Sequence, residues 1–186
     1  MLFGCRKNNQ KPKEINADQL QKIASLCTVK GYYHNVIKSN EETGKSWYEF
    51  WRKDKIHFWV EYDAEVEVSF NMSNFNCIPN GNKVVITLPY PEVTAVNILK
   101  ESLNDDSYYF EVETQRPNAD QQVEQFKIAE EAIILKASED IALMEYAKEN
   151  AKEILTNYVN NFSSINGVDY ETEFVELPKQ NNGPKV

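Results

Sequence analysis

Glycine is scarce, six in 186 residues and none of them clustered. The chain therefore has no phosphate-cradling loop of the kind nucleotide-binding motifs require. Cysteine is scarcer still. Cys5, Cys27 and Cys77 form no C-x-x-C pair, an odd count is no disulfide framework, and whether Cys27 joins Cys77 cannot be read from sequence. No apolar run is long enough to span a bilayer. Basic residues number 20 against 29 acidic ones, a formal charge of −9, and outside Arg6, Lys7, Lys11 and Lys13 they are scattered. Non-specific nucleic-acid binding needs clustered Lys and Arg on phosphate, so it is excluded as an expectation. A G-x-S-x-G elbow is missing, and neither Cys27 nor Cys77 lies in a catalytic context. Two carboxylates for acid–base work cannot be chosen among so many without a pocket. No catalytic residue, metal or cofactor is assigned.

What is present is an alternation. Phe58, Val60, Tyr62, Ala64, Val66, Val68 and Phe70 point one way, and Trp59, Glu61, Asp63, Glu65, Glu67 and Ser69 the other. Side chains alternate faces along a strand, so this predicts one long β-strand, about Lys55 to Met72, covering a core on one side only. Hydrophobic residues at 41%, with aromatics at 12%, are enough to fill that core.

Around it, residues 1–15 read as a disordered tether. Asn16 or Asp18 would cap a short helix carrying Leu20, Ile23, Ala24 and Leu26. A strand from Cys27 to about Lys38 has Tyr32, Tyr33, Val36 and Ile37 as its bulk. Asn80-Gly81-Asn82 is a turn leading into a strand at Lys83 to Leu88, with Val84, Ile86 and Leu88 inward. Pro89-Tyr90-Pro91 breaks the ladder. Further strands are expected over Glu92 to Leu99 and Tyr108 to Thr114. From Ala119 to Phe162 there is no Gly or Pro, and the composition is helical. One stripe is Phe126, Ala129, Ile133 and Ala137, a second Ala147, Ala151, Ile154, Tyr158 and Phe162. Ser138, followed by Glu139 and Asp140, would cap a new helix between them. Asn166-Gly167 ends the helices, Tyr170 to Leu177 is a closing strand, and 178–186 is a disordered tail. The expected fold class is α+β: a mostly antiparallel sheet of about five to six strands, with two consecutive C-terminal helices on one face and a closing strand. Residues 16–177 would form one domain.

Tyr32-Tyr33-His34-Asn35-Val36, Trp47, Lys55-Ile56-His57-Phe58-Trp59-Val60-Glu61-Tyr62 and Val84-Val85-Ile86-Thr87-Leu88-Pro89 resemble the bacterial family catalogued as domain of unknown function 4230. So does the pairing of Ala147-Lys148-Glu149-Asn150-Ala151 with Tyr170-Glu171-Thr172-Glu173-Phe174. The resemblance covers roughly residues 17–176. It implies no activity, cofactor or catalytic residue, but an N-terminal membrane segment is common in such proteins. Leu2-Phe3-Gly4-Cys5 with the basic stretch behind it resembles the end of such a segment or of a lipoprotein signal, which makes Cys5 a candidate lipid anchor. The other reading is a disordered terminus on a cytosolic protein.

Three groups of residues are candidate sites. Glu61, Asp63, Glu65 and Glu67 form a carboxylate ladder about 7 Å per step. It would dock a basic partner, bind Ca²⁺ if its oxygens converged, or simply face water. Trp47, Tyr48, Phe50, Trp51, Arg52 and Lys53 would suit a lipid–water boundary or fill a core edge. His34 and His57, on strands that could be neighbours, would have to come together to hold a metal. The helical stripes fit packing on a sheet better than a coiled-coil seam, although self-association into a homo-oligomer stays open. The expected function is a non-enzymatic binding or assembly domain of the cell envelope, membrane-anchored and extracytoplasmic, with an unidentified protein partner. The alternatives are a metal-dependent or hydrolytic enzyme whose site forms only on folding, and a cytosolic interaction domain.

Overall fold

A computed structural model describes residues 15–41, 56–110 and 119–179. The elements are α1 (Ala17–Ala24), β1 (Val29–Glu41), β2 (Ile56–Phe70), β3 (Asn76–Asn80), β4 (Lys83–Leu88), β5 (Pro91–Ile98), β6 (Tyr108–Phe110), α2 (Ala119–Glu139), α3 (Ile141–Asn166) and β7 (Glu171–Glu176). This is an α+β fold with antiparallel pairing, two consecutive helices and a closing strand. The strands are shared between two sheets, and the chain forms two compact units, each assembled from separate segments. The first comprises 1–27, 70–91 and 146–186, the second 28–69 and 92–145. Among the described residues no helix is long and apolar enough to cross a membrane.

The second unit is built on β2. In its four-stranded sheet β2 pairs with β1 on one edge and with β5 and β6 on the other. The β1–β2 ladder is antiparallel over thirteen pairs, from Val29 opposite Val68 to Glu41 opposite Ile56. Val60, Tyr62, Ala64, Val66 and Val68 are all buried, as the alternation requires. Burying each of the three valines stabilises by about 1.5–3 kcal/mol. Tyr62 carries a polar end into this core and has both roles of its hydroxyl satisfied. It accepts from Asn35 Nδ2 at 2.9 Å and donates to the Ala129 carbonyl at 3.3 Å. Ala129 belongs to the buried stripe of α2 with Ile133 and Ala137, while Phe126, expected on that stripe, is 36% exposed.

α2 ends one residue before α3 begins, and the break is made by Asp140 rather than Ser138. Asp140 Oδ1 accepts from the Leu143 amide at 3.0 Å, satisfying an otherwise orphaned donor of the first turn. Ser138 instead turns its hydroxyl back onto the Leu135 carbonyl at 2.8 Å, the bond serine makes within a helix.

In the first unit, β3, β4 and β7 form a sheet in that order, β3–β4 antiparallel and β4–β7 parallel. Asn80 pairs with Lys83, leaving a two-residue turn with Gly81 at φ +62°. Both primed hairpin turns require that conformation at the first central position. Val84, Ile86 and Leu88 of central β4 are fully buried. Asn16 caps α1, accepting from the Asp18 amide at 2.8 Å, and α1 lies against β3. Gly167, at φ +65°, ends α3, and the Val168 amide reaches back to the Ser163 carbonyl at 3.3 Å. That is the closing bond of a Schellman motif.

The buried stripe of α3 in this unit is Ala147, Ala151, Leu155 and Val159. Ile154 is 38% exposed, and Tyr158 and Phe162 are half-buried. The stripe therefore runs one position further round the helix than the sequence suggested. Two α3 lysines hold the end of β7: Lys148 Nζ lies 3.0 Å and Lys152 Nζ 2.5 Å from the Glu176 carboxylate. That pair of cations, Lys152 first, holds Glu176 below its ordinary pKa.

Candidate functional site

The outward side of β2 meets the outward side of β1 across the ladder. Register sets Glu67 opposite Lys30, Glu65 opposite Tyr32, Asp63 opposite His34 and Glu61 opposite Val36. On the other edge of β2, Tyr109 of β6 stands opposite Trp59. Facing side chains on one sheet surface come within about 5 Å at Cβ, so each carboxylate is placed against a particular neighbour.

Those neighbours engage the row. Lys30 Nζ donates to Glu65 Oε1 at 2.6 Å and lies 3.5 Å from Glu67 Oε1. His34 Nδ1 is 2.9 Å from Asp63 Oδ1, and the Tyr109 hydroxyl donates to Glu61 Oε2 at 3.5 Å. Hydrogen bonds from Lys30 and then Tyr32 hold the Glu65 carboxyl below its ordinary pKa. The same contact raises the Lys30 ammonium and the Tyr32 phenol. Glu65 is thus a fixed anion at neutral pH and no general acid. The ladder is a charged, cross-linked surface rather than a converging ligand shell.

Three residues that the sequence reading did not single out for a site share this surface. Tyr32 is 70% exposed, Tyr109 49% and Val36 48%. Large apolar groups set among carboxylates and held by a rigid sheet are what a protein-binding surface presents. Tyr32 and Val36 lie on β1 and Tyr109 on β6. Placing them beside the carboxylates needed the register.

The two histidines are not partners across the ladder: in the backbone register His34 pairs with Asp63 and His57 with Asn40, six positions away along β2, or roughly 20 Å at 3.3 Å per residue. Among the described residues no three His, Cys, Asp or Glu side chains gather as a metal ion would need. Cys27 and Cys77 are both free and buried, and burial pushes both thiols up in pKa. They are protonated at neutral pH and poor nucleophiles. Trp47, Tyr48, Phe50, Trp51, Arg52, Lys53 and Cys5 lie outside the described residues.

On the opposite side of β1, the Tyr33 hydroxyl donates to Asp140 Oδ2 at 2.9 Å, and Lys136 Nζ stands 5.7 Å from the centre of the Tyr33 ring. Burial first, then Asp140, pushes Tyr33 up to about 12. The capping bond from Leu143 and then Tyr33 hold Asp140 down. Asp140 contributes stability above its ordinary value of 3.8 and loses it as pH falls below. Tyr33 contributes fully below its ordinary value of 10 and loses that contribution as pH rises toward about 12. Thermal unfolding across pH should show both flanks. Tyr33→Phe should flatten the alkaline one, and Asp140→Ala should cost about 1–2 kcal/mol at neutral pH.

Glu65→Lys tests whether the ladder faces water. It exchanges the Lys30–Glu65 ion pair for two neighbouring cations on the outer side of the sheet and should cost about 1 kcal/mol or less. A collapse of the thermal transition would mean that this side of β2 is covered.

No curated protein and no solved structure matches the chain. A family model does, over residues 18–173, which takes in every side chain of the ladder and of the surface around it. That match spans most of the sequence, and the chain belongs to the family described as protein of unknown function (DUF4230).

Proposed function

We propose that this chain is a non-enzymatic binding or assembly domain of the bacterial cell envelope, and that it binds a basic protein segment on the outer face of the four-stranded sheet. The observation that carries the reading is the exposure of Tyr32, Val36 and Tyr109 beside the acidic row. Rings and a branched aliphatic supply apolar contact area, while Glu61, Asp63 and Glu67 supply a charge that selects and steers a cationic partner. Cys5 serves as the lipid anchor in this reading, supported by the Gly4-Cys5 sequence and the basic residues behind it. Exposed Ile128, Ile134, Leu135 and Ile141 of α2 and α3 give the same unit apolar surface for self-association.

A photo-crosslinking amino acid in place of Tyr32 or Tyr109, in cells making the full-length gene product, tests the reading. The expected result is a discrete adduct in the membrane fraction from both positions, none from exposed Leu26, and loss of the adduct in Asp63→Lys/Glu67→Lys. The same adducts from Leu26, or none at Tyr32 and Tyr109, would contradict it. Cys5→Ala should release the protein from the membrane fraction. Wild-type protein recovered only in the cytoplasm would favour a cytosolic interaction domain.

A further inference from the structure

β1 forms an edge of the second unit's sheet over thirteen residues, and the hydrogen bonds of β2 fix what that edge presents. Asp63 turns both of its backbone groups away from β1. Its carbonyl accepts from the Leu99 amide at 2.8 Å, and its amide donates to Ser102 Oγ at 2.8 Å. Asp63 stands opposite His34, so those two residues exchange no backbone bonds. Hydrogen-bonded and non-hydrogen-bonded pairs alternate along an antiparallel ladder. The pairs Lys30–Glu67, Tyr32–Glu65 and Val36–Glu61 are therefore of the same kind as His34–Asp63. The amides and carbonyls of Lys30, Tyr32, His34 and Val36 point out of the sheet, and among the described residues no strand pairs with them. β1 contains no proline, and its ladder with β2 runs without a bulge. A long edge of this kind is a template for another extended chain.

We propose that a basic segment binds here by strand addition, pairing its backbone with the free edge of β1 while cationic and apolar residues alternate along it. The proposal rests on the outer face being the binding surface, and adds how the partner is held and what sequence it has. In this mode main-chain bonds supply affinity and alternate side chains supply selectivity. Residues of the added strand on the outer face would sit about 5 Å from Tyr32, His34 and Val36, and about 10 Å from β2. Behind the short Val36 side chain, Glu61 has one long hydrogen bond among the described residues, from Tyr109 at 3.5 Å. A lysine or arginine opposite Val36 reaches Glu61 over the valine. The Tyr32 ring, 70% exposed, packs against the stem of the next cation. On the inner face the added strand meets half-buried Tyr33 and Ile37, which calls for apolar side chains. A second copy of this chain would instead bring its own acidic row onto the same sheet surface, with Lys30 already drawn to Glu65, and like charges oppose that.

The test uses the full chain, labelled with ¹⁵N, and the end-capped peptide Lys-Val-Lys-Val-Lys-Thr-Lys. In the free protein the amides of Tyr32, His34 and Val36 should exchange with solvent at least about tenfold faster than those of Tyr33, Asn35 and Ile37. Saturating peptide should slow the first three about tenfold or more. N-methylation of the peptide's lysines blocks the amides that face β1 and should weaken binding about tenfold or more. N-methylation of its valines and threonine, whose amides face water, should change affinity less than about threefold. Binding that ignores which set is methylated, or that leaves Tyr32, His34 and Val36 unprotected, overturns strand addition while leaving the outer face as the binding surface. Slow exchange at those three amides in the free protein overturns it too, because the edge is then already covered, by a second copy if the protection grows with protein concentration. No saturable binding of the peptide also overturns it, whereas failure of the outer-face reading shows separately as loss of the Tyr32 and Tyr109 adducts.

Discussion

Val66→Asp unfolds the second unit. Val66 has no exposed surface and lies in mid-strand between Ala64 and Val68, opposite Gly31 of β1. A carboxylate placed there has no cation to meet, because every basic partner of β2 found in the structure approaches from the other face. An unpaired polar group in an apolar site costs about 2–7 kcal/mol, and an ionised one more. Domains are stable by only about 5–15 kcal/mol. The introduced carboxyl would have its pKa raised in the folded state, so what stability survives should be greatest at low pH and fall as pH rises through that value. Circular dichroism in denaturant, run at acidic and neutral pH, reads both effects. A cooperative transition near the wild-type midpoint at neutral pH would show that the inner side of β2 is not packed.

Ile86→Ala carries the second largest expected effect, in the first unit. Ile86 is fully buried in β4, with Cys77 of β3 on one flank and Phe174 of β7 on the other. Truncating it removes apolar contacts and leaves a cavity between three strands, which costs about 2–5 kcal/mol. Denaturant unfolding should show a lowered midpoint with little change in slope. Amide exchange should quicken across 76–88 and 171–176. A loss under about 0.5 kcal/mol, the size of a surface change, would remove β4 from the centre of that core.

These two positions were legible in the sequence because both lie in strict alternation. β2 and β4 have one dry side, and a period of two specifies it without knowledge of neighbours. The caps at Asn16 and Gly167 and the turn at Gly81 were legible for the same local reason: each satisfies or permits the conformation of its own few residues. What escaped was decided at a distance. β3 contains Pro79 and reads poorly as a strand, yet it forms an edge of its sheet, where a missing amide donor is tolerated. α3 offers two overlapping stripes from Ala147 and Ala151, and packing chose Leu155 and Val159 over Ile154 and Tyr158. Ser138 and Asp140 are both good caps in isolation, and Asp140 also receives the Tyr33 hydroxyl from β1. In β1, Tyr32, Tyr33, Val36 and Ile37 read as one mass of bulk. The strand instead splits them, leaving Tyr32 and Val36 exposed and Tyr33 and Ile37 half-buried. The candidate site followed the same division. Its acidic half was visible residue by residue, whereas its aromatic half depended on the β1–β2 and β2–β6 registers.

A lysine scan along residues 61–68, each variant melted under identical conditions, tests the central claim most directly. Lysine at 61, 63, 65 or 67 should leave a cooperative transition close to that of the wild type, and lysine at 62, 64, 66 or 68 should abolish it, giving stability a period of two. A flat profile, or tolerance at Ala64 and Val66 with collapse at Glu61 and Glu67, would contradict the assignment of a dry inner face and an acidic outer face to this strand.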